Sequence, residues 1–230
     1  MSYFPSDEKA RPIQSPATGA LGRLDSGFLG KVFGLLAFSL AFATVGGFVG
    51  SKLSPGWILP LFIVEIALIF VVQRVRDKEG INFVALYAFA FVSGLTFGPI
   101  VAEYVNAGLG TAVLEAGIVT GAMTAGISAY ALTTKRNLQA LYPYLFIALI
   151  GLIVAMVVNI FIGGSTLWAF VSWGGALLFS LLLLVDVNRT KYLENTMGNA
   201  VVVTLGIYLD IVNLFLFLMS IFGGGGGRRS

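Results

Sequence analysis

Seven hydrophobic runs, each close to the roughly 20 residues that a helix needs to cross a bilayer, divide this sequence of 230 residues. They fall at about 30–52, 57–74, 81–104, 109–133, 141–162, 165–187 and 200–222. In hydrocarbon a backbone must satisfy its own polar groups, so runs of this length commit the chain to helices. Composition agrees. Hydrophobic residues make up 57% and charged residues 11% of the chain, the latter under half of the ~25% usual in soluble domains. The expected fold is all-α: an integral membrane protein, one seven-transmembrane-helix bundle. Three segments follow. Residues 1–25, with Pro5, Pro12 and Pro16, read as a disordered cytoplasmic tail lacking the apolar core of a secretory signal. Residues 26–222 read as the bundle, and 223–230 as a Gly-rich C-terminal tail. The fifth and sixth runs are joined only by Gly163-Gly164-Ser165, where a shorter re-entrant pair would change the span count.

Basic residues set the expected orientation. Lys9, Arg11, Arg23 and Lys31 precede or open the first span. Arg74, Arg76 and Lys78 follow the second, Lys135 and Arg136 the fourth, Arg189 and Lys191 the sixth. The opposite loops carry only Lys52. The N-terminus is therefore expected in the cytoplasm and the C-terminus outside, in a multi-pass protein of the cell (inner) membrane. Arg228 and Arg229 oppose that placement and keep a six-span variant open. A net charge of +3, spread over these loops, gives no basic face for nucleic acid.

Three motifs place small residues on one helix face: Gly46-x-x-x-Gly50, Gly94-x-x-x-Gly98 and Gly117-x-x-x-Gly121. Such faces let helices approach closely in lipid. Packing within the bundle is the expected use, and dimerisation the alternative. Pro99, after Gly98, removes a backbone donor inside the third span and is expected to kink it. Trp57, Trp168, Trp173, Tyr104 and Tyr142 lie near span ends, as interfacial anchors do.

Acidic residues inside the spans are the departure from this pattern. A carboxylate at the centre of a transmembrane helix costs roughly 2.5–3.5 kcal/mol on insertion scales, so it faces protein or water and often carries function. Glu65 is mid-span in the second run, Glu115 about two turns into the fourth, Asp186 near the end of the sixth, and Asp210 near the middle of the seventh. Counting from the expected cytoplasmic ends, Asp186 and Asp210 lie at depths of about 8 and 16 Å. Tilt and side-chain reach can bring them together. Asn213, three residues after Asp210, shares its helix face. Two carboxylates in contact do not both ionise cheaply and titrate as a pair. With no histidine and no cysteine in the chain, carboxylates are the groups left to sense pH, and no thiolate metal site is available. A hard cation such as Ca²⁺ suits clustered carboxylate oxygens, so Asp186 and Asp210 are also metal candidates. Arg74 and Arg76 end the second span on the same side, and either can snorkel toward Asp186.

Ser93-Gly94-Leu95-Thr96-Phe97-Gly98-Pro99-Ile100, Leu184-Val185-Asp186-Val187-Asn188 and Tyr208-Leu209-Asp210-Ile211-Val212-Asn213-Leu214-Phe215 resemble three motifs of the Bax inhibitor-1 (transmembrane Bax inhibitor motif) family, in order, over about residues 26–222. The resemblance implies a bundle with its last helix central. It implies a pH-sensitive calcium leak whose gate is an aspartate pair, here Asp186 and Asp210. It also implies that Arg76 bonds Asp186 in the closed state and that Glu65 occupies an acidic position of the second span. Glu65, Glu115 and Asn213 are then candidates for a cation pathway, with Ca²⁺ as permeant or bound ion and no other cofactor.

Ser128-Ala129-Tyr130-Ala131-Leu132-Thr133-Thr134-Lys135 resembles a second branch of the family, modulators of a membrane-bound AAA protease. That branch lacks the aspartate pair, which this chain keeps. The sequence reading is therefore a non-enzymatic calcium leak gated by protonation, with a protease modulator as the alternative. Intramembrane aspartyl proteases also place two aspartates on late helices, but their Gly-x-Gly-Asp and Pro-Ala-Leu motifs are missing: Gly206-Ile207-Tyr208-Leu209-Asp210 differs, and no proline follows Pro143.

Overall fold

The computed structural model describes residues 24–224. Most of the two expected tails, 1–23 and 225–230, lies outside the described residues. Among the described residues, seven helices are long and apolar enough to cross a membrane. They are α1 (Ser26–Gly50), α2 (Ile58–Val75), α3 (Ile81–Asn106), α4 (Gly110–Thr133), α5 (Tyr142–Ile162), α6 (Ser165–Arg189) and α7 (Met197–Phe222). The fold is thus an all-α membrane-spanning bundle. The turn between α5 and α6 is resolved in favour of two full crossings. Gly163 closes α5 in the left-handed region at φ +68, and the helices on either side run 21 and 25 residues. A left-handed residue ends a helix at least cost when it is glycine.

The start of α1 and the loops α2–α3, α4–α5 and α6–α7 meet at one end, which carries Lys31, Arg76, Lys78, Lys135, Arg136 and Lys191; we call it the basic end. There Asp25 caps α1, its Oδ1 accepting from the amides of Gly27 and Phe28 at 2.9 and 3.0 Å. Its Oδ2 accepts from Asn195 Nδ2 at 2.8 Å, which ties α1 to the α6–α7 loop. The Phe28 amide, then Asn195, hold the Asp25 carboxyl below its ordinary range. A lowered folded value means this contribution is complete above the ordinary carboxylate pKa and is lost as pH falls through the folded one. Asp25→Ala should therefore melt earlier than wild type at pH 7, and the gap should close on acidification. A pair of thermal melts at pH 7 and pH 3 checks this.

α7 is central. It packs against α1, α2, α3, α4 and α6, and 67% of its most apolar stretch is buried, against 6% for α2 and for α5, the outermost helices. A helix that is apolar all round belongs inside. Tyr208 of α7 is the largest fully buried side chain. Its ring meets Phe89 edge-on at 5.5 Å and its hydroxyl donates to the Ala90 carbonyl at 3.4 Å. At the far end α6 is locked to α7, with Trp168 Nε1 donating to Ser220 Oγ at 2.9 Å and Ser172 sharing a bond with Ser220 at 2.9 Å. Trp168 is thus turned inward rather than anchoring at an interface, because its N–H finds a buried acceptor. Trp57 and Trp173 remain exposed.

Two of the three glycine motifs interlock. A Cβ on Gly94 of α3 would strike the Ala43 carbonyl of α1, and one on Gly98 the Gly47 carbonyl. Reciprocally, a Cβ on Gly46 would strike the Phe91 carbonyl, and one on Gly50 the Leu95 carbonyl. α3 continues through Pro99, whose missing N–H leaves that Leu95 carbonyl without its helical donor. The third motif departs from the packing expectation. Nothing lies within 4 Å of a Cβ built on Gly117 or Gly121, so no neighbouring helix packs against these two glycines.

Candidate functional site

α6 and α7 run side by side and bring Asp186 and Asp210 into one buried site, at 6% and 5% exposure. The residue that makes room is Gly206. A Cβ there would collide with Asp186 Oδ2, so the Asp186 carboxylate lies directly over the Gly206 backbone. Gly206 precedes Asp210 by four residues, hence one turn on the same face of α7. The two acids are stacked along α7, and Asp210 lies within the field of Asp186. Asp186 Oδ1 and Asp210 Oδ2 have no hydrogen-bond partner among the described residues. Two further groups reach the pair through space. Arg189 lies one turn beyond Asp186 on α6, and the phenol of Tyr142 at the start of α5 feels Asp186, Asp210 and Arg189 together.

The implied Arg76–Asp186 contact is not made. α2 ends at Val75, so Arg76 lies just past the helix. Its carbonyl accepts from Asn82 Nδ2 at 2.9 Å and its Nε reaches Asp77 Oδ2 at 3.3 Å, with the side chain 49% exposed. Asp77 in turn lies against Gly198 in the first turn of α7, where a carboxylate is favoured by the helix dipole. The Arg76 guanidinium pairs with its neighbour Asp77 at the surface instead.

The other candidates are dispersed. Glu65 is half-buried and faces Ser93 and Thr96 of α3, with Tyr208 of α7 behind them, forming a second polar cluster. Glu115 is exposed on α4 and stands apart from the pair. Asn213 turns its amide onto its own helix, donating to the Leu209 carbonyl at 2.8 Å.

Asn188 has a role that sequence reasoning missed. Fully buried, it donates to the carbonyls of Ala131 and Arg136 at 3.0 and 3.2 Å and accepts from the Leu138 amide at 3.0 Å. Lys191 Nζ adds a bond to the Thr134 carbonyl at 2.7 Å. Together they strap the α4–α5 loop to the end of α6, two residues beyond Asp186, and so position Tyr142. The signal in the sequence was a polar amide at the end of a span, two residues after an acid. Asn188→Ala leaves three backbone groups unpaired and should cost about 3 kcal/mol. Tryptic cleavage after Lys135 and Arg136 should accelerate accordingly.

Chemically, the pair is a place where a proton or a cation relieves buried negative charge. A resident calcium ion fits it poorly. Ca²⁺ takes 6–8 oxygen ligands, and no cluster of three or more acidic, histidine or cysteine side chains occurs among the described residues.

Comparison with known proteins places these features in context. The family described as inhibitor of apoptosis-promoting Bax1 matches residues 25–227. A Helicobacter pylori protein of uncharacterized function is 32% identical over 203 residues, covering 85% of this chain and 86% of its own. The Escherichia coli K12 protein named modulator of FtsH protease YccA is 28% identical over 204 residues, covering 85% of this chain and 89% of its own. Its counterpart in a second Escherichia coli strain, with the same identity and coverage, is named inner membrane protein YccA.

Proposed function

The chain belongs to the Bax inhibitor-1 family, a premise from which we propose that it acts in the inner membrane as a modulator of a membrane-bound AAA protease. Membership makes it a non-catalytic multi-pass membrane protein and sets aside the intramembrane aspartyl protease. The observation that carries the proposal is the likeness to the FtsH protease modulator, which extends over 85% of the chain. The bundle is then a binding partner held with its N-terminus in the cytoplasm, and the Asp186–Asp210 site sets the relation of α6 to α7 that the protease reads. Copurification tests it. A tagged chain expressed in its host membrane should retain an FtsH-type protease through detergent extraction, and its deletion should change the turnover of that protease's membrane substrates. Unchanged turnover in the deletion would remove the reading.

A second reading rests on a separate observation, the two buried carboxylates with unpaired oxygens. In it the pair gates a calcium leak, the ion being cargo and the proton the trigger, through a two-state shift of the helices that carry the pair. Glu65, Glu115 and Asn213 are the pathway candidates. Ca²⁺ flux into liposomes across pH 5–8 separates the readings. A leak predicts pH-dependent flux that Asp186→Asn and Asp210→Asn alter, whereas a modulator alone predicts none.

A further inference from the structure

α1 and α4 frame a groove of about 1010 Å³ whose floor is formed by α3 and α7. Its lining runs along α1 from Phe33 to Ser51, about 27 Å at the helical rise, most of the ~30 Å depth of a bilayer core. All of its lining residues are uncharged. The open glycines Gly117 and Gly121 belong to it, so the small-residue face of α4 leaves space instead of filling it.

Three hydroxyls along that face, Thr120, Thr124 and Ser128, recur every four residues and line the groove. None has a hydrogen-bond partner among the described residues. Thr44 on the opposite wall, and Thr96, Thr133, Ser172 and Ser180 elsewhere in the bundle, donate to a carbonyl of their own helix one turn back, the usual way a helical hydroxyl is satisfied. Thr120 and Ser128 are only 4% and 9% exposed. An unpaired buried hydroxyl is costly and calls for an acceptor or donor from outside the chain.

The surroundings define that partner. A lipid chain gains nothing by exchanging one apolar neighbour for another, so the hydroxyls are what distinguish this groove from the bilayer. Thr120 lies ten residues from the start of α4 and Ser128 five from its end, about 15 and 8 Å deep, where a charged headgroup is excluded by its own cost. The volume matches one ligand, at the top of the roughly 300–1,000 Å³ of small-molecule sites. Reaching side chains so deeply buried suits a slim molecule rather than a helix about 10 Å wide. We propose that the α1–α4 groove binds one long-chain lipid with an uncharged hydrogen-bonding head, an ester, ketone or alcohol, drawn sideways from the bilayer. Its floor includes Ile211, the residue after Asp210, so occupancy bears on α7 beside the carboxylate pair.

The test uses purified protein in phospholipid vesicles and a monoacylglycerol carrying a diazirine on its chain, with a phosphatidic acid of the same chain as charged control. Labelling by the monoacylglycerol should saturate, map to α1 and α4, and be displaced by unlabelled monoacylglycerol. Gly121→Phe, placed where nothing crowds a side chain, should block it. The pair Thr120→Val with Ser128→Ala should weaken it about tenfold, as loss of a buried hydrogen bond does, with melting curves verifying that each variant is folded. Equal, unsaturable labelling by both probes would identify ordinary boundary lipid and overturn the proposal. So would labelling indifferent to these variants, or a copurified transmembrane protein cross-linking to the groove in place of the lipid.

Discussion

Gly94→Val is expected to abolish recovery of folded protein. A Cβ at this position meets the Ala43 carbonyl, the Gly47 nitrogen and the Gly46 Cα, all backbone atoms of α1. Backbone does not yield as a flexible side chain does, so α1 and α3 must separate. Phe28 and Val32 of α1 share a buried cluster with Leu86 and Phe89 of α3, and separation opens it. Overpacking a close crossing costs about 3 kcal/mol even for alanine, a large part of the roughly 5–15 kcal/mol that holds a protein folded. Valine adds two methyl groups and exceeds that margin. The control is the third motif, where Gly117→Ala and Gly121→Ala meet nothing and should stabilise by up to about 1 kcal/mol through helix propensity. Thermal melts and size-exclusion profiles in detergent read both outcomes. Equal behaviour of Gly94→Ala and Gly121→Ala would contradict the assignment of the crossing.

Gly206→Ala is expected to disable the acidic site while leaving the bundle assembled. Its methyl occupies the position of Asp186 Oδ2, and a buried carboxylate between α6 and α7 has little free volume to move into. The expected cost is about 2 kcal/mol. In an Asp186→Ala background the obstacle is gone, and the same substitution should cost close to nothing. A coupling of 0.5–3 kcal/mol is the usual range for residues in contact, so this double-mutant cycle should fall near its upper half. Additive effects would mean the carboxylate does not lie over Gly206.

Much of the architecture was legible because lipid restricts the choices. Runs near 20 apolar residues can only be helices, and the predicted span ends fall close to those of α1–α7. What was not legible is which faces meet. Gly46, Gly94 and Gly117 look alike in sequence, yet two zip α1 to α3 and one lines a groove, a distinction that exists only in the packed bundle. Arg76 failed for a local reason, since the adjacent Asp77 offers its guanidinium an exposed partner at the surface. Asn188 and Gly206 stood inside quoted motifs without a role. Their roles are contacts to a loop 52 residues away and to a side chain of another helix.

The most direct measurement is the degradation rate of a membrane substrate by an FtsH-type protease reconstituted with and without this chain, between pH 5 and 8. The account predicts that wild type changes the rate, that the change depends on pH, and that Asp186→Asn and Asp210→Asn each remove the pH dependence. A rate identical with and without the chain across that range would contradict it.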